Sequence, residues 1–154
     1  MNKFIITQAT KEDLPAILDI QKKAFLEVAR TFHLKSVPPM EQTLESVTKE
    51  FTKGTILKVS IGNAIVGSVR AHQETDTCHI GKLVVLPEYQ NKGIGKALMH
   101  EIENQYKNSV KRYELFTGER LSRNRYLYNQ LGYKPFKTEK FKDEVSIVYL
   151  EKNA

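Results

Sequence analysis

A short glycine-containing segment, Gln90–Gly95, is the strongest candidate for binding chemistry in the sequence. Gly93 and Gly95 stand between an apolar stretch and an amphipathic one, and Lys92 and Lys96 flank them. Glycines let a ligand approach the backbone closely, and the first N–H groups of a helix lack internal acceptors and lie at the positive end of its dipole. The segment therefore predicts a site for phosphate oxygens.

Two better-known phosphate motifs do not match this segment. The dinucleotide fingerprint needs a third glycine and an acidic residue at the end of a following strand, and both are missing. The P-loop needs Gly-Lys-Ser/Thr, whereas Gly95 and Lys96 are followed here by Ala97. An ordinary strand-to-helix turn, with glycines for packing, stays open as the simpler interpretation.

The excess of positive charge is the second feature with chemical meaning. The 154 residues carry 24 Lys and Arg against 18 Asp and Glu, a formal net charge of +6, and the segment Lys111–Lys142 holds nine of the basic residues and three of the acidic ones. Such a segment suits an anionic cofactor, a nucleic acid or a solvated face. Interleaved aromatic residues keep the nucleic-acid interpretation open, namely Tyr126, Tyr133 and Phe136.

The elements that must position these residues follow from hydrophobic periodicity, in the order β-α-α-β-β-β-α-β-α-β-β. Leu83–Leu86 is apolar on both faces, which is typical of a central strand, and Pro38-Pro39 predicts a loop at His33–Met40. The order indicates an α/β fold with hairpins first and a parallel crossover after Leu86. The predicted strands are about Lys3–Gln8, Leu57–Ile61, Ala64–His72, Cys78–Leu86, Lys111–Thr117, Tyr133–Lys140 and Val145–Leu150, the helices about Leu14–Phe32, Glu41–Thr52, Gly93–Tyr106 and Ser122–Leu131, and Lys142-Asp143 separates the last two strands.

Length and composition exclude several classes of protein. The length fits a single domain, 1–154, with its own hydrophobic core. A lone Cys78 cannot form an internal disulfide, and no Cys/His cluster has zinc-ligand spacing, so we expect no metal and a reducing, cytoplasmic location. No apolar run approaches the roughly 18 residues of a membrane span, and the apolar start is too short for a signal peptide. We therefore expect no membrane partner.

Two segments resemble motifs of a known family. Ile80–Pro87 followed by Glu88–Gly95 is similar to the acyl-CoA-binding motif of the GNAT superfamily of N-acetyltransferases, whose core signature is Gln/Arg-x-x-Gly-x-Gly/Ala. Asn124–Tyr133 resembles the second motif, in which a Tyr precedes a Gly-aromatic pair. The element order matches over essentially the whole chain. The resemblance implies an α/β (α+β) fold with a mixed, mostly antiparallel central sheet of about seven strands, flanked by about four helices and splayed at the acetyl-CoA site.

The same resemblance implies where acetyl-CoA binds. The pantetheine arm pairs with the strand backbone around Leu83 and Val85, and the pyrophosphate lies on the amides of Asn91–Gly95. Asn124 and Tyr128, four residues apart, share the helix face toward CoA. The implied cofactor-binding residues are Leu83, Val84, Val85, Gln90, Asn91, Lys92, Gly93, Ile94, Gly95, Lys96, Asn124 and Tyr128, with Arg123 and Arg125 as candidates for the ribose 3′-phosphate.

The implied reaction is direct transfer of the acetyl group to a primary amine in a ternary complex. A backbone N–H near Leu83 or Val85 polarises the carbonyl, and Tyr128 is the general acid for the departing thiolate. The general base is open: His79 is one candidate, His72 and Glu74 are rivals, and a water chain is a further alternative.

The acceptor is a small molecule or a peptide that bears an amine. Four side chains are candidates for its pocket, namely Phe25, Phe32, His33 and Phe141. The acceptor's identity and the preferred acyl chain stay open, and a second copy of the chain, as a homodimer, is a further candidate partner. Two other functions stay open as well: a module that senses acyl-CoA without turnover, and a basic nucleic-acid-binding domain.

Overall fold

The computed structural model describes residues 3–142 and 145–154, and within those residues the chain forms seven strands and five α-helices. Two 3₁₀ turns, Lys11–Asp13 and Pro87–Tyr89, precede the first and fourth helices. The strands are β1 (Ile5–Gln8), β2 (Thr55–Ile61), β3 (Ala64–Glu74), β4 (Thr77–Val85), β5 (Arg112–Gly118), β6 (Lys134–Lys142) and β7 (Val145–Asn153). The helices are α1 (Leu14–Thr31), α2 (Pro38–Glu41), α3 (Leu44–Lys53), α4 (Ile94–Tyr106) and α5 (Ser122–Gln130).

The strands form one sheet in the order β1-β2-β3-β4-β5-β7-β6. The first four strands pair antiparallel, each with the next, and β7 pairs antiparallel with both β5 and β6. The pair β4–β5 is parallel. The crossover between the parallel strands passes through α4, as a parallel connection requires. The predicted mixed sheet is therefore confirmed, with β4 at its centre.

Helices cover both faces of this sheet, because β2 and β3 carry apolar side chains that alternate between the two sides. Ile56 packs with Leu14, Ile17 and Val47 beneath α1 and α3. The neighbouring Leu57 belongs to the larger core on the other side, which also contains Leu98 and Met99 of α4 and Tyr128 of α5. One face thus carries α1 and α3, and the opposite face carries α4 and α5.

A gap opens in the middle of the sheet. In the described chain, pairing between β4 and β5 runs only from Thr77–Arg112 to His79–Glu114. Beyond that point β4 continues to Val85 and stays paired with β3 across a β-bulge, in which Lys82 has a φ of 52°. A bulge bends the strand that carries it and leaves its extra residue outside the ladder. The splayed sheet predicted from sequence is present.

The sequence-based prediction was wrong about the region before α3. Pro38-Pro39 does not make a loop: the two prolines occupy the first turn of α2, where a missing N–H costs nothing. This helix brings the number of α-helices in the described residues to five instead of about four. The next helix begins at Leu44 and not at Glu41, because the Thr43 side chain caps it by accepting from the Ser46 N–H at 3.1 Å.

Other boundaries lie within a few residues of prediction. The first helix begins at Leu14, as predicted, and just before it the Asp13 carboxylate accepts from the Thr10 N–H at 2.8 Å. It also accepts from Lys58, and these hydrogen bonds hold the pKa of Asp13 below its ordinary value. The predicted turn at Lys142-Asp143 falls partly on Asp143, which lies outside the described residues.

Candidate active site

The glycine turn stands at the open end of the gap. Gly93 is the N-cap of α4 with a φ of 81°, and Asn91 has a φ of 63°, so both occupy the left-handed region. No side chain of a described residue caps the helix. The N–H groups of the first turn therefore lack both intrahelical and side-chain acceptors, which makes this helix end suited to an anion.

The side chains of the turn divide between the core and the solvent. Ile94 is 2% exposed and belongs to the core, so only its backbone N–H is available to a ligand. Lys92 and Lys96 are both exposed at the helix end. The cationic side chains therefore lie around the turn while its apolar side chain fixes α4 to the sheet.

Gln90 connects this turn to the end of β4. Its Nε2 donates to the Val85 carbonyl at 3.0 Å. The Leu86 N–H donates in the other direction, to Val66 of β3 at 2.9 Å. Since backbone groups alternate between the two edges of a strand, Val84 directs its groups toward Ser68 of β3 and Val85 directs its groups toward the gap. Leu83 lies inside the bulge.

Helix α5 closes the gap on the α4 side. A Cβ on Gly95 would lie 3.6 Å from Leu127 Cδ2 and 4.0 Å from Leu83 Cδ2, so the glycine stands where α4, α5 and β4 meet. The Asn124 Nδ2 donates to the Thr117 hydroxyl at 3.3 Å and thereby ties α5 to β5. The Asn124 side chain, which was predicted to lie on the α5 face toward CoA, is thus directed toward the sheet.

Tyr128, one turn further along α5, is 6% exposed. Its ring packs edge-on against Tyr133, with centroids 6.0 Å apart. Burial raises the pKa of Tyr128 above its ordinary value, and its hydroxyl donates to no residue in the described part of the chain. At neutral pH the phenol is therefore protonated, and its O–H group is available to donate a hydrogen bond to a ligand.

The two arginines predicted for the 3′-phosphate lie apart. Arg123 Nη2 donates to the Asn91 Oδ1 at 2.6 Å, which brings its guanidinium to the glycine turn. Arg125 donates to the Glu119 carbonyl at 3.5 Å and lines a separate cavity of about 400 Å³ with Tyr126. Residues two positions apart in a helix do not share a face, which explains why the two arginines are separated.

The three candidates for the general base lie together at the closed end of the gap. His79 of β4 stacks on His72 of β3, with centroids 5.1 Å apart. Its Nε2 lies 3.6 Å from a Glu74 oxygen, and its Nδ1 lies 3.7 Å from a Glu114 oxygen. Because His79 and Glu114 form the last β4–β5 pair, this cluster stands where the two strands begin to separate.

The four residues predicted to line the acceptor pocket do not form one cluster. Phe32 is buried, and its ring lies so close to Gly118 that a Cβ there would be 2.6 Å from its Cζ. His33, with a φ of 55°, is exposed, as is Phe141 on β6. Phe25 of α1 is half-buried. Phe32 thus reaches the end of β5 beside the gap.

The basic segment does not form one continuous cationic face, because its residues are distributed over several elements and ion pairs. Arg112 pairs with Glu114 at 3.0 Å and with Glu151 at 2.8 Å. Lys137 pairs with Glu139 at 3.0 Å. In the described part of the chain, five cations of the segment form no ion pair, and they are divided between the loop before α5 (Arg120), α5 itself (Arg123 and Arg125) and β6 (Lys134 and Lys140).

The sequence pattern of the acetyltransferase (GNAT) domain family matches residues 11–154. The chain belongs to the GNAT acetyltransferases. The family assignment confirms the predicted family and shows that the protein is an acyltransferase. Among curated proteins, no sequence matches this chain.

Solved structures similar to this GNAT acetyltransferase cover nearly its whole length. The PaiA N-acetyltransferase from Thermoplasma acidophilum, in complex with coenzyme A, is 18% identical over 99% of both chains, with a TM-score of 0.82. The ribosomal-protein-S18-alanine N-acetyltransferase from Escherichia coli is 15% identical over 98% of this chain and 94% of its own, with a TM-score of 0.81. A GNAT family acetyltransferase from Elizabethkingia anophelis with acetyl-CoA bound is 19% identical over 98% of both chains, with a TM-score of 0.74. At these identities the likeness shows the fold.

Two further structural findings concern the predictions of no membrane partner and no metal. In the described parts of this GNAT acetyltransferase, no helix is both long and apolar enough to cross a bilayer. No group of three His, Cys, Asp or Glu side chains there is arranged to hold a metal ion.

A group of charged and amide side chains lies beside the bulge of this GNAT acetyltransferase and was not predicted from the sequence. Arg70 is 5% exposed, and it contacts Gln21 of α1 and Glu50 of α3. The signal was present in the sequence: Arg70 stands inside β3 between Val69 and Ala71, where a charged residue needs partners if the strand is buried.

Proposed function

We propose that this acetyltransferase transfers the acetyl group of acetyl-CoA to the primary amine of a small molecule or peptide, within one domain, 1–154. The observation that carries the proposal is the gap between β4 and β5, which opens directly onto the uncapped start of α4. A thioester held there reaches both faces of the sheet. Donor and acceptor can then approach each other from opposite sides, as direct attack in a ternary complex requires.

The residues around the gap fit coenzyme A by their chemistry. The first-turn N–H groups of α4, from Gly93 to Lys96, suit the pyrophosphate. The gap edge of β4, at Leu83 and Val85, offers backbone groups to the amides of the pantetheine arm. Lys92, Lys96 and Arg123 supply positive charge around the turn, and Gln90 holds the end of β4 in place.

Bound acetyl-CoA supplies the acetyl group as a thioester, whose C–S bond breaks as the amine nitrogen forms a C–N bond to the carbonyl carbon. The N–H of Leu83, beside the bulge, is placed to stabilise charge on the carbonyl oxygen. Tyr128 gives its phenolic proton to the departing thiolate. The support for this role is that the Tyr128 hydroxyl donates to no described residue, and that the phenol is protonated at neutral pH.

His79 is the proposed base that accepts the proton of the acceptor amine. It lies four residues before Leu83, roughly 13 Å along the strand at about 3.3 Å per residue, so the proton passes through water. Glu74 and Glu114 flank the imidazole and restrict its orientation. His72 and Glu74 remain rivals for this role because they belong to the same cluster.

Two other parts of the proposal rest on simpler observations. Cys78 is fully buried, and burial raises the pKa of its thiol to about 12, so it is protected from disulfide exchange. We propose a cytoplasmic location because Cys78 is the single cysteine of the sequence, which therefore has no internal disulfide. The ion pairs of Arg112 and Lys137 reduce the charge available to a nucleic acid, and they favour an acetyltransferase over the nucleic-acid alternative.

A thermal-shift measurement followed by a turnover assay tests the proposal. At a hundredfold excess over Kd, a ligand of the native state adds about 2.7 kcal/mol, which raises Tm by roughly 5–10 °C in a chain of this size. We expect such a shift with acetyl-CoA, and release of free thiol when suitable primary amines are added. A shift without thiol release from any amine would instead favour the acyl-CoA-sensing alternative.

The separation of Arg123 and Arg125 gives a second prediction. Removal of the 3′-phosphate from CoA is expected to weaken binding to the unaltered protein by about tenfold, the size of one charge-assisted hydrogen bond. Arg123→Ala should erase most of that difference, because its guanidinium stands at the glycine turn. Arg125→Ala is the matched control and should preserve it. Equal losses in both variants, measured by calorimetric titration, would contradict the assignment to Arg123.

A further inference from the structure

A buried polar cluster connects α1, α3, β3 and the bulge of β4. Arg70 donates to Gln21, which is fully buried, and to the Gln42 Oε1 at 2.9 Å. Its Nη1 also lies 3.3 Å from a Glu50 oxygen. Lys82, in the bulge, brings its ammonium to 3.6 Å from the other Glu50 oxygen. One carboxylate therefore serves two cations.

This cluster carries uncompensated positive charge. The Nε of Arg70 is buried and has no hydrogen-bond partner in the part of the chain that the structure describes. Burial lowers the pKa of Lys82, and the charge of Arg70 lowers it further, against the opposing effect of Glu50. Buried charge of this kind is stabilised by a further anion. The Lys82 side chain is 28% exposed, so a ligand can reach it.

The cluster lies on the acceptor's side of the gap. Glu50 belongs to α3, so Lys82 points to the face of the sheet that carries α1 and α3. The turn proposed for the pyrophosphate lies on the opposite face, at the start of α4. Lys82 also directly precedes Leu83, whose N–H is the proposed partner of the thioester carbonyl. An acceptor that attacks from the α1–α3 face therefore passes the Lys82 ammonium.

We propose that Lys82, supported by Arg70, binds an anionic group of the acceptor, and that the acceptors are primary amines that also carry a carboxylate. The inference rests on the proposed acetyl transfer and specifies its substrate class. A purely cationic acceptor would meet two positive side chains that already share Glu50. A carboxylate would complete the pairing of Lys82 and hold the amine at the gap.

Matched pairs of acceptors test this inference. Each pair consists of an amino acid or short peptide with a free carboxylate and the same compound as its amide. In the thiol-release assay the unaltered protein should prefer the carboxylate member by about tenfold in kcat/KM, mainly through KM. Lys82→Gln removes the positive charge and leaves a polar side chain that is one atom shorter, and it should reduce this preference toward one.

Lys58→Gln is the matched control. Lys58 lies on β2, away from the gap, and it forms a similar half-buried ion pair with Asp13. The substitution should leave the preference unchanged. The acetyl-CoA thermal shift of each variant shows that it is folded.

The possible failures are distinguishable. Turnover with no preference for the carboxylate, or a preference that survives Lys82→Gln, contradicts the anion site alone. Thiol release from neither member of any pair contradicts the proposed transfer, and the anion site with it.

Discussion

Tyr128→Phe is expected to lower kcat by about 10²–10⁴-fold, the usual contribution of a positioned general acid, with little change in acetyl-CoA affinity. The substitution removes only the hydroxyl. That hydroxyl donates to no described residue, so its loss leaves no buried protein acceptor unpaired. The phenyl ring retains the edge-on contact with Tyr133. Steady-state kinetics with a good acceptor, together with Tm, measure both effects.

Tyr133→Phe is the matched control for Tyr128, because the two rings are packed together. The Tyr133 hydroxyl donates to the Glu103 carboxylate at 2.8 Å, and Lys152 donates to the same carboxylate at 2.7 Å. Removal of that hydroxyl should lower the free energy of unfolding by about 1–3 kcal/mol and leave kcat nearly unaltered. Full turnover in Tyr128→Phe would assign proton delivery to solvent or another side chain.

Gly95→Asp is expected to abolish the rise in Tm produced by acetyl-CoA. The new side chain would project between Leu127 and Leu83, where it would place a carboxylate against the site proposed for the pyrophosphate. An acidic residue in the first turn favours the helix dipole, which offsets part of the cost of a carboxylate beside two leucines, and the Tm without ligand measures the balance. The lost binding would remove about 2.7 kcal/mol of ligand stabilisation at a hundredfold excess over Kd.

Gly95→Ala separates charge from bulk. Its Cβ would make ordinary contacts at 3.6 Å and 4.0 Å, and we expect this variant to retain most of the thermal shift. Gly93→Asp should also abolish the shift, but the φ of 81° adds backbone strain of about 1–2 kcal/mol, which makes it the weaker test. A normal acetyl-CoA shift in both aspartate variants would place the phosphates elsewhere.

Local sequence patterns were enough to predict most of the secondary structure and the glycine turn. The alternation in β2 and the helical spacing in α4 are visible over a few residues, because each element must present one apolar face to the core. The same holds for the glycines at 93 and 95, whose effects act within one turn of chain. Pro38 shows the limit of such rules, since proline both ends helices and begins them.

The amino-acid sequence by itself determined the order of the strands and of every helix except α2, and the family. It also led to the hypothesis that Gln90–Gly95 binds phosphate. Only the tertiary structure decided that β4 and β5 separate after His79, that Arg123 and not Arg125 stands at the turn, and that Lys82 shares Glu50 with a buried Arg70. These relations join residues that are far apart in the chain. Periodicity reports which face of an element is buried, but distances between elements depend on how the sheet and helices pack against one another.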